Sequence, residues 1–283
     1  MLERALAIEE RAYGRDHLEV ANTLTNLGSA YGDLGDHAKA RDMMERALAI
    51  KERECGCDHT EVVTTLTNLG CAYGELGDYA KQRDMQERSL VILERAYGRD
   101  HTDVAATLNS LGNAYGALGD YAKARDLQER ALAIFEREYG HDHTYVALTL
   151  GNLGYAHVDL GAAAEACELL QRALAILEEN VGPEHMYVAY PLRGLGNAHR
   201  DLGDAPKSRE LLERSLAIFE RHFGPENVDV AQTRRDLGKT HVVLSDVAAA
   251  RSQLQRAVEI YEAKFGADHR DTCRCRETLA SLQ

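Results

Sequence analysis

Between residues 108 and 135 the apolar positions fall into two runs with the same period. Leu108, Leu111, Ala114, Tyr115 and Leu118 are three or four apart, and so are Ala124, Leu127, Ala131, Leu132 and Phe135. This is the period of one face of an α-helix, and neither run alternates as a strand does. Leu118-Gly119-Asp120 separates them. The glycine suits the left-handed residue that ends a helix, and Asp120 suits the cap that starts the next. The predicted unit is a helix, a short turn and a longer helix that runs to Gly140.

The same unit recurs every 42 residues. Leu-Gly stands at 27–28, 69–70, 111–112, 153–154, 195–196 and 237–238, and a second glycine at 14, 56, 98, 140, 182, 224 and 266. A fixed period of this length marks a repeat array. One helix pair cannot bury its own apolar stripe, so stacked neighbours must do so. Gly112 and its five equivalents lie inside the first helix, where glycine costs about 1 kcal/mol relative to alanine. Close approach of the partner helix is the expected compensation.

Leu108, Leu111, Gly112, Tyr115, Ala124 and Ala131 resemble the tetratricopeptide repeat pattern. The 42-residue length, carried by ERALAIFEREYGHDHTYVA from Glu129, is similar to the long repeats of kinesin light chains. The resemblance covers essentially the whole chain. It implies an all-α fold, a right-handed α-solenoid of six full helix pairs with a partial repeat at each end, whose concave face binds peptides or proteins. The expected organisation is one domain over 1–283. It has a partial repeat at 1–17, full repeats at 18–59, 60–101, 102–143, 144–185, 186–227 and 228–269, and a final helix from 270. Ends that fall inside a repeat suggest a fragment of a longer protein, or ends covered by another component.

Charge and chemistry refine this only modestly. A net charge of −13 argues against nonspecific nucleic-acid binding, which needs a basic footprint. No stretch is long and apolar enough to span a membrane, the first residues do not read as a signal peptide, and a cytoplasmic location is expected. Six of the twelve histidines (His17, His59, His101, His143, His185 and His269) share one inter-repeat register. Spaced a repeat apart, they read as loop packing or helix caps rather than metal ligands. Cys55-x-Cys57 and Cys273-x-Cys275 have one residue between them, unlike zinc pairs, so no metal is expected. No phosphate-binding loop, nucleophile elbow or zinc-protease helix is present. No cofactor and no catalysis are expected. Glu-Arg pairs such as Glu129-Arg130 read as solvated faces with i,i+4 partners.

The copies are unequal. Tyr31, Tyr73 and Tyr115 give way to His157, His199 and His241, which are expected to keep a hydrogen bond in the tyrosine's place. Gly32, Gly74 and Gly116 give way to Val158, Arg200 and Val242. Carried over from the resemblance, one face of each first helix lines the groove. This places Asn22, Thr25, Ser29 and Asp33 there, then Thr64, Thr67, Cys71 and Glu75, then Ala106, Asn109 and Asn113. The later lining is Leu148, Gly151, Tyr155 and Asp159, then Tyr190, Arg193, Asn197 and Arg200, then Gln232, Arg235 and Lys239. The groove is expected to turn basic in the C-terminal half. Arg193 and Asn197, one turn apart, are suited to grip a carboxylate, in partial likeness to the clamp of chaperone-binding members, although Asp236 stands where that clamp has asparagine. Pro191 is expected to disturb this lining.

The expected function is a non-catalytic protein-interaction scaffold that binds a protein or peptide, acidic or aromatic-containing in the C-terminal half. The alternatives are a sensor arm of a larger nucleotide-switch protein and a structural bridging subunit of a large assembly.

Overall fold

The computed structural model describes residues 1–282. Fourteen α-helices and no strand occur among them. A lone helix, α1 (Leu2–Tyr13), precedes the pairs. They are α2 (Leu18–Asp33) with α3 (His37–Cys55), α4 (Val63–Glu75) with α5 (Tyr79–Tyr97), α6 (Thr102–Leu118) with α7 (Tyr121–Tyr139), α8 (Thr144–Asp159) with α9 (Ala163–Val181), α10 (Met186–Asp201) with α11 (Ala205–Phe223), and α12 (Val228–Val243) with α13 (Val247–Phe265). Helix α14 (Arg270–Ala280) ends the series. The chain divides into two compact units, Met1–Ile134 and Phe135–Gln283.

First helices begin at 18, 102, 144, 186 and 228, as the repeat predicts; the second repeat differs. Thr60–Val62 form a 3-10 turn and the α-helix starts only at Val63. Four consecutive β-branched residues, Val62 to Thr65, crowd that first turn and lower its helical preference.

The caps follow the sequence. Gly119 takes φ 92°, ψ 6°, and the N–H of Lys123 donates to Asp120 Oδ1 at 3.1 Å. The six histidines of the inter-repeat register are N-caps. His17, for example, accepts from the N–H of Glu19 through Nδ1 at 3.2 Å, as His101 does from Asp103 and His143 from Tyr145. Asn227 fills the same role in the sixth repeat, accepting from Asp229 at 2.7 Å. An Nδ1 acceptor requires the tautomer with its proton on Nε2. Tyr13, Tyr97 and Tyr139 stack on the capping rings with centroids 4.5–4.9 Å apart.

The core is made between repeats. In the first unit Met44 and Leu48 of α3 pack with Leu66, Leu69 and Tyr73 of α4 and Ile92 of α5. In the second, Ala166 and Leu170 of α9 pack with Leu195 and Ala198 of α10. The Leu-Gly glycine closes each pair. A Cβ on Gly112 would stand 2.7 Å from Gln128 Cγ, one on Gly154 2.5 Å from Leu170 Cγ, and one on Gly196 2.6 Å from Leu212 Cγ. The residue sixteen positions on thus occupies the space a side chain would need. Leu170 also lies under Gly194 of the following pair, 2.8 Å from the Cβ position there.

Ion pairs repeat with the helices. Arg46 meets Glu10, Arg88 meets Glu52 and Arg130 meets Glu94, at 2.5–2.7 Å. Arg172–Glu136 and Arg214–Glu178 do the same in the second unit at 2.7 Å. Each arginine thus reaches the preceding repeat. The i,i+4 expectation holds only for contacts such as Arg125–Glu129, at 3.8 Å.

Candidate functional site

The residues expected to line the first-helix face have different surroundings in the two units. In the first unit they are small groups that bond to one another. Thr25 Oγ1 donates to the Ala21 carbonyl at 2.9 Å and lies 3.1 Å from Thr65 Oγ1. Asn68 Nδ2 donates to Ser29 Oγ at 3.0 Å. Thr67 Oγ1 is 3.3 Å from Ser89 Oγ, and Gln128 Nε2 donates to Asn113 Oδ1 at 3.0 Å. Asn22 and Asn109 are half-buried and Asn113 is exposed. A cavity of about 260 Å³ opens between α2 and α4, above the start of α3.

In the second unit the same registers carry a charged network. Arg193 is 9% exposed. Its Nε donates to Tyr155 Oη at 3.0 Å, and its Nη1 reaches Asp229 Oδ1 at 3.4 Å. The guanidinium lies over the rings of Tyr155, Phe219 and Tyr190, 5.2–5.9 Å from their centroids. Tyr155 donates to the Tyr190 carbonyl at 2.6 Å, and Tyr190 donates to Asp229 Oδ2 at 3.1 Å. A second chain starts at Arg200, whose Nη1 donates to Asn197 Oδ1 at 2.9 Å. Asn197 Nδ2 donates to Asp236 Oδ2 at 3.0 Å, and Arg235 donates to the other oxygen, Oδ1, at 3.1–3.2 Å.

Electrostatics follow from this burial. Burial pushes the Asp236 carboxyl up, but Arg235, Arg193 and Lys239 outweigh it and hold it below the ordinary carboxylate value. Burial and Asp236 push the Asp159 carboxyl up. Burial pushes the Tyr155 phenol up to about 12 against the pull of Arg193. Lys239 moves the other way: burial, then Arg235, with Arg200 and Arg274, lower its ammonium against the opposing pull of Asp236. Neither Lys239 nor the guanidinium of Arg274 makes a hydrogen bond or ion pair among the described residues.

Arg193 and Asn197 are therefore not turned together toward one carboxylate. Arg193 goes to Asp229 and Asn197 to Asp236. Arg200 and Arg235 are also engaged, the former with Asp201 and Asn197. Asp229, Phe219 and Arg274 belong to the arrangement, and sequence reasoning did not single them out. Asp229 and Phe219 could not be found by spacing within a helix, because they come from neighbouring helices. Pro191 does not stop α10, which runs through it from Met186 to Asp201. His157 and His241 do not restore the lost tyrosine bond through Nδ1, which is buried without a hydrogen bond in both. Tyr31 and Tyr115 bond Glu3 and Glu87 at 2.5 Å, and Tyr73 bonds Glu45.

Among the described residues no group of three or more His, Cys, Asp or Glu could hold a metal ion, and no helix is long and apolar enough to cross a membrane. No curated protein matches the chain in sequence. Solved structures that resemble it include a Podosopora anserina kinesin light chain-type protein with nearly identical TPR-like repeats. It is 24% identical with a TM-score of 0.58, over 73% of this chain and 98% of that one. BtubC (BKLC) of P. vanneervenii is 21% identical with a TM-score of 0.55, over 82% and 91%. The apo form of RapI is 17% identical with a TM-score of 0.74, over 92% and 90%. At these identities the likeness is one of fold. Tetratricopeptide repeat profiles match residues 1–53, 62–103, 83–137, 103–179, 145–221 and 187–263. With that repeat matched along nearly all of its length, and folded as the consecutive helix pairs it requires, the chain belongs to the tetratricopeptide repeat family.

Proposed function

We propose that the chain is a non-catalytic scaffold, a single array over residues 1–283, that binds an extended segment of a protein partner along the faces of its first helices. Support for one array is the 42-residue period, which continues without a shift through residue 134. Six free cysteines accord with a reducing compartment, and we place the protein in the cytoplasm.

One observation carries the choice of partner in the C-terminal half. Lys239 is half-buried among Arg200, Arg235 and Arg274; Asp236 and Asp159 lie within electrostatic reach, but neither forms an ion pair with its ammonium. A half-buried cation among like charges gains from an anion brought to it. The partner segment presents an acidic side chain at this point. Arg193 and Asp236 shape the site from below as positioning residues.

The test avoids the buried network, since charge reversal at Arg193 or Arg235 would break the fold locally. A fluorescein-labelled peptide with four consecutive glutamates is titrated against wild type and against Lys239→Glu with Arg274→Glu. Its glutamine counterpart is the control. The expected result is binding of the glutamate peptide alone, weakened at least tenfold by the double substitution. Equal binding of both peptides, or no loss in the variant, overturns the reading.

A further inference from the structure

We infer that the cavity between α2 and α4 is a pocket for a basic side chain, lysine or arginine, of an extended peptide. This rests on the reading that the first-helix face receives such a segment. It adds a second point of contact of opposite sign.

The cavity is lined by buried and half-buried apolar groups, by the polar Ser29, Asn68 and Cys71, and by two exposed carboxylates. Gly32, Ala40, Met44 and Ala72 form the apolar part; Asp33 and Glu75 are exposed and line the cavity with them. His37 Nε2 is 3.8 Å from Glu75 Oε2, and no lysine or arginine lines the cavity. Lysine and arginine side chains match this division, with an aliphatic stem for the apolar groups and a cation for the carboxylates. An acidic side chain would meet two like charges there. A purely aliphatic one would bring no cation to either carboxylate.

The opening beside the glycine is not a property of every repeat; the third shares it, with Ala124 Cβ 3.9 Å from a Cβ on Gly116, but has Ala117 where the first has Asp33. In the first repeat a Cβ on Gly32 would find only Ala40 Cβ, at 4.0 Å. In the second, alanine 40 becomes Gln82, and a Cβ on Gly74 would stand 2.6 Å from Gln82 Oε1. The glutamine fills the space that the alanine leaves open. In the fourth and sixth repeats the glycine itself is replaced, by Val158 and Val242.

The methyl of Met44 offers a direct readout, because the chain has only five methionines. Protein labelled with 13C at the methionine methyls is titrated with the Nα-acetyl amides of arginine, lysine, norleucine and glutamate. The arginine or lysine amide should move the Met44 signal saturably while leaving Met186, in the other unit, in place. Norleucine amide should bind at least fivefold more weakly, and glutamate amide not at all. Two variants are then compared. Asp33→Asn with Glu75→Gln removes the charges, and Gly32→Val fills the cavity with the residue later repeats carry. Each should weaken the effect at least fivefold with the thermal transition retained. Absence of a saturable shift, equal binding of norleucine amide, or persistence of the shift in the charge variant overturns the inference. The probes are single amino acids and the carboxylates lie in the first unit. A failure here is therefore distinct from a failure of the acidic-peptide assay at Lys239 and Arg274.

Discussion

The two units use one repeat in different ways. In both, the helix pair is closed by the same device, a glycine on the first helix covered by the residue sixteen positions later. The register occupied by Thr25, Thr67 and Asn109 becomes Gly151, Arg193 and Arg235. In the first unit its threonines exchange hydrogen bonds with neighbouring neutral hydroxyls. In the second, Arg193 is buried against Asp229 and three aromatic rings, and Arg235 is half-buried against Asp236. Packing between helices thus constrains the inner positions tightly, while the first-helix face is free to vary in charge.

The sharpest way to break this comparison is to remove one member of each set. Arg193→Ala leaves Asp229 and the Tyr155 hydroxyl without their cation, and should cost about 3 kcal/mol, as breaking a buried pair does. Thr67→Ala, in the same register, loses one weak hydroxyl contact and should cost under about 1 kcal/mol. Urea unfolding, with hydrogen exchange to localise the loss to α10 or α4, separates the two. Similar costs at both positions would show that the network is no more structural than the hydroxyl contacts.

A smaller effect depends on pH. The Asp236 carboxyl is held below its ordinary value, so its contribution is present above the unfolded value, about 3.9. It is lost as pH falls through the folded value. Asp236→Asn should therefore be less stable than wild type at pH 7, and the gap should close as pH falls below about 4. A gap that stays constant across that window would mean that the ionised carboxylate contributes nothing.

The smallest effect has the opposite sign. Met44, Leu170, Leu212 and Leu254 fill the slot beneath the Leu-Gly glycine, but in the second and third repeats Gln86 and Gln128 do, each with a buried Oε1 that accepts no hydrogen bond. Gln86→Leu should stabilise the first unit by under about 1 kcal/mol, since an unsatisfied buried amide oxygen is removed at similar volume for the loss of one long bond, from Gln86 Nε2 to the Thr67 carbonyl at 3.4 Å. Gln128→Leu should gain less, because the bond it gives up, to Asn113 at 3.0 Å, is the shorter of the two. A loss at position 86 in thermal unfolding would refute the premise that the amide oxygen is unsatisfied.

The helix pairs were legible because they follow from local period and punctuation. Leu108, Leu111 and Ala114 are all fully or nearly fully buried, as are Ala124 and Ala131. The register of the six histidines was legible as loop packing or helix caps, and the structure shows caps. What escaped was the identity of partners across repeats. Arg130 pairs with Glu94, 36 positions back, and Arg193 with Asp229, 36 positions on. Such separations have no periodic signature within a helix. The cavity escaped for a related reason. It depends on Ala40 standing where the next repeat has Gln82, and on Asp33 standing where the third has Ala117, differences whose meaning appears only once Gly32 is placed opposite Ala40.

Leu170 is wedged beneath two glycines of successive first helices, Gly154 and Gly194, whereas elsewhere that slot serves one. It therefore works as a shared rivet: α8 and α10 cannot lift away from α9 independently of each other. Fluctuations that part the fourth and fifth pairs must expose the same isobutyl group, so these two pairs should breathe as one piece.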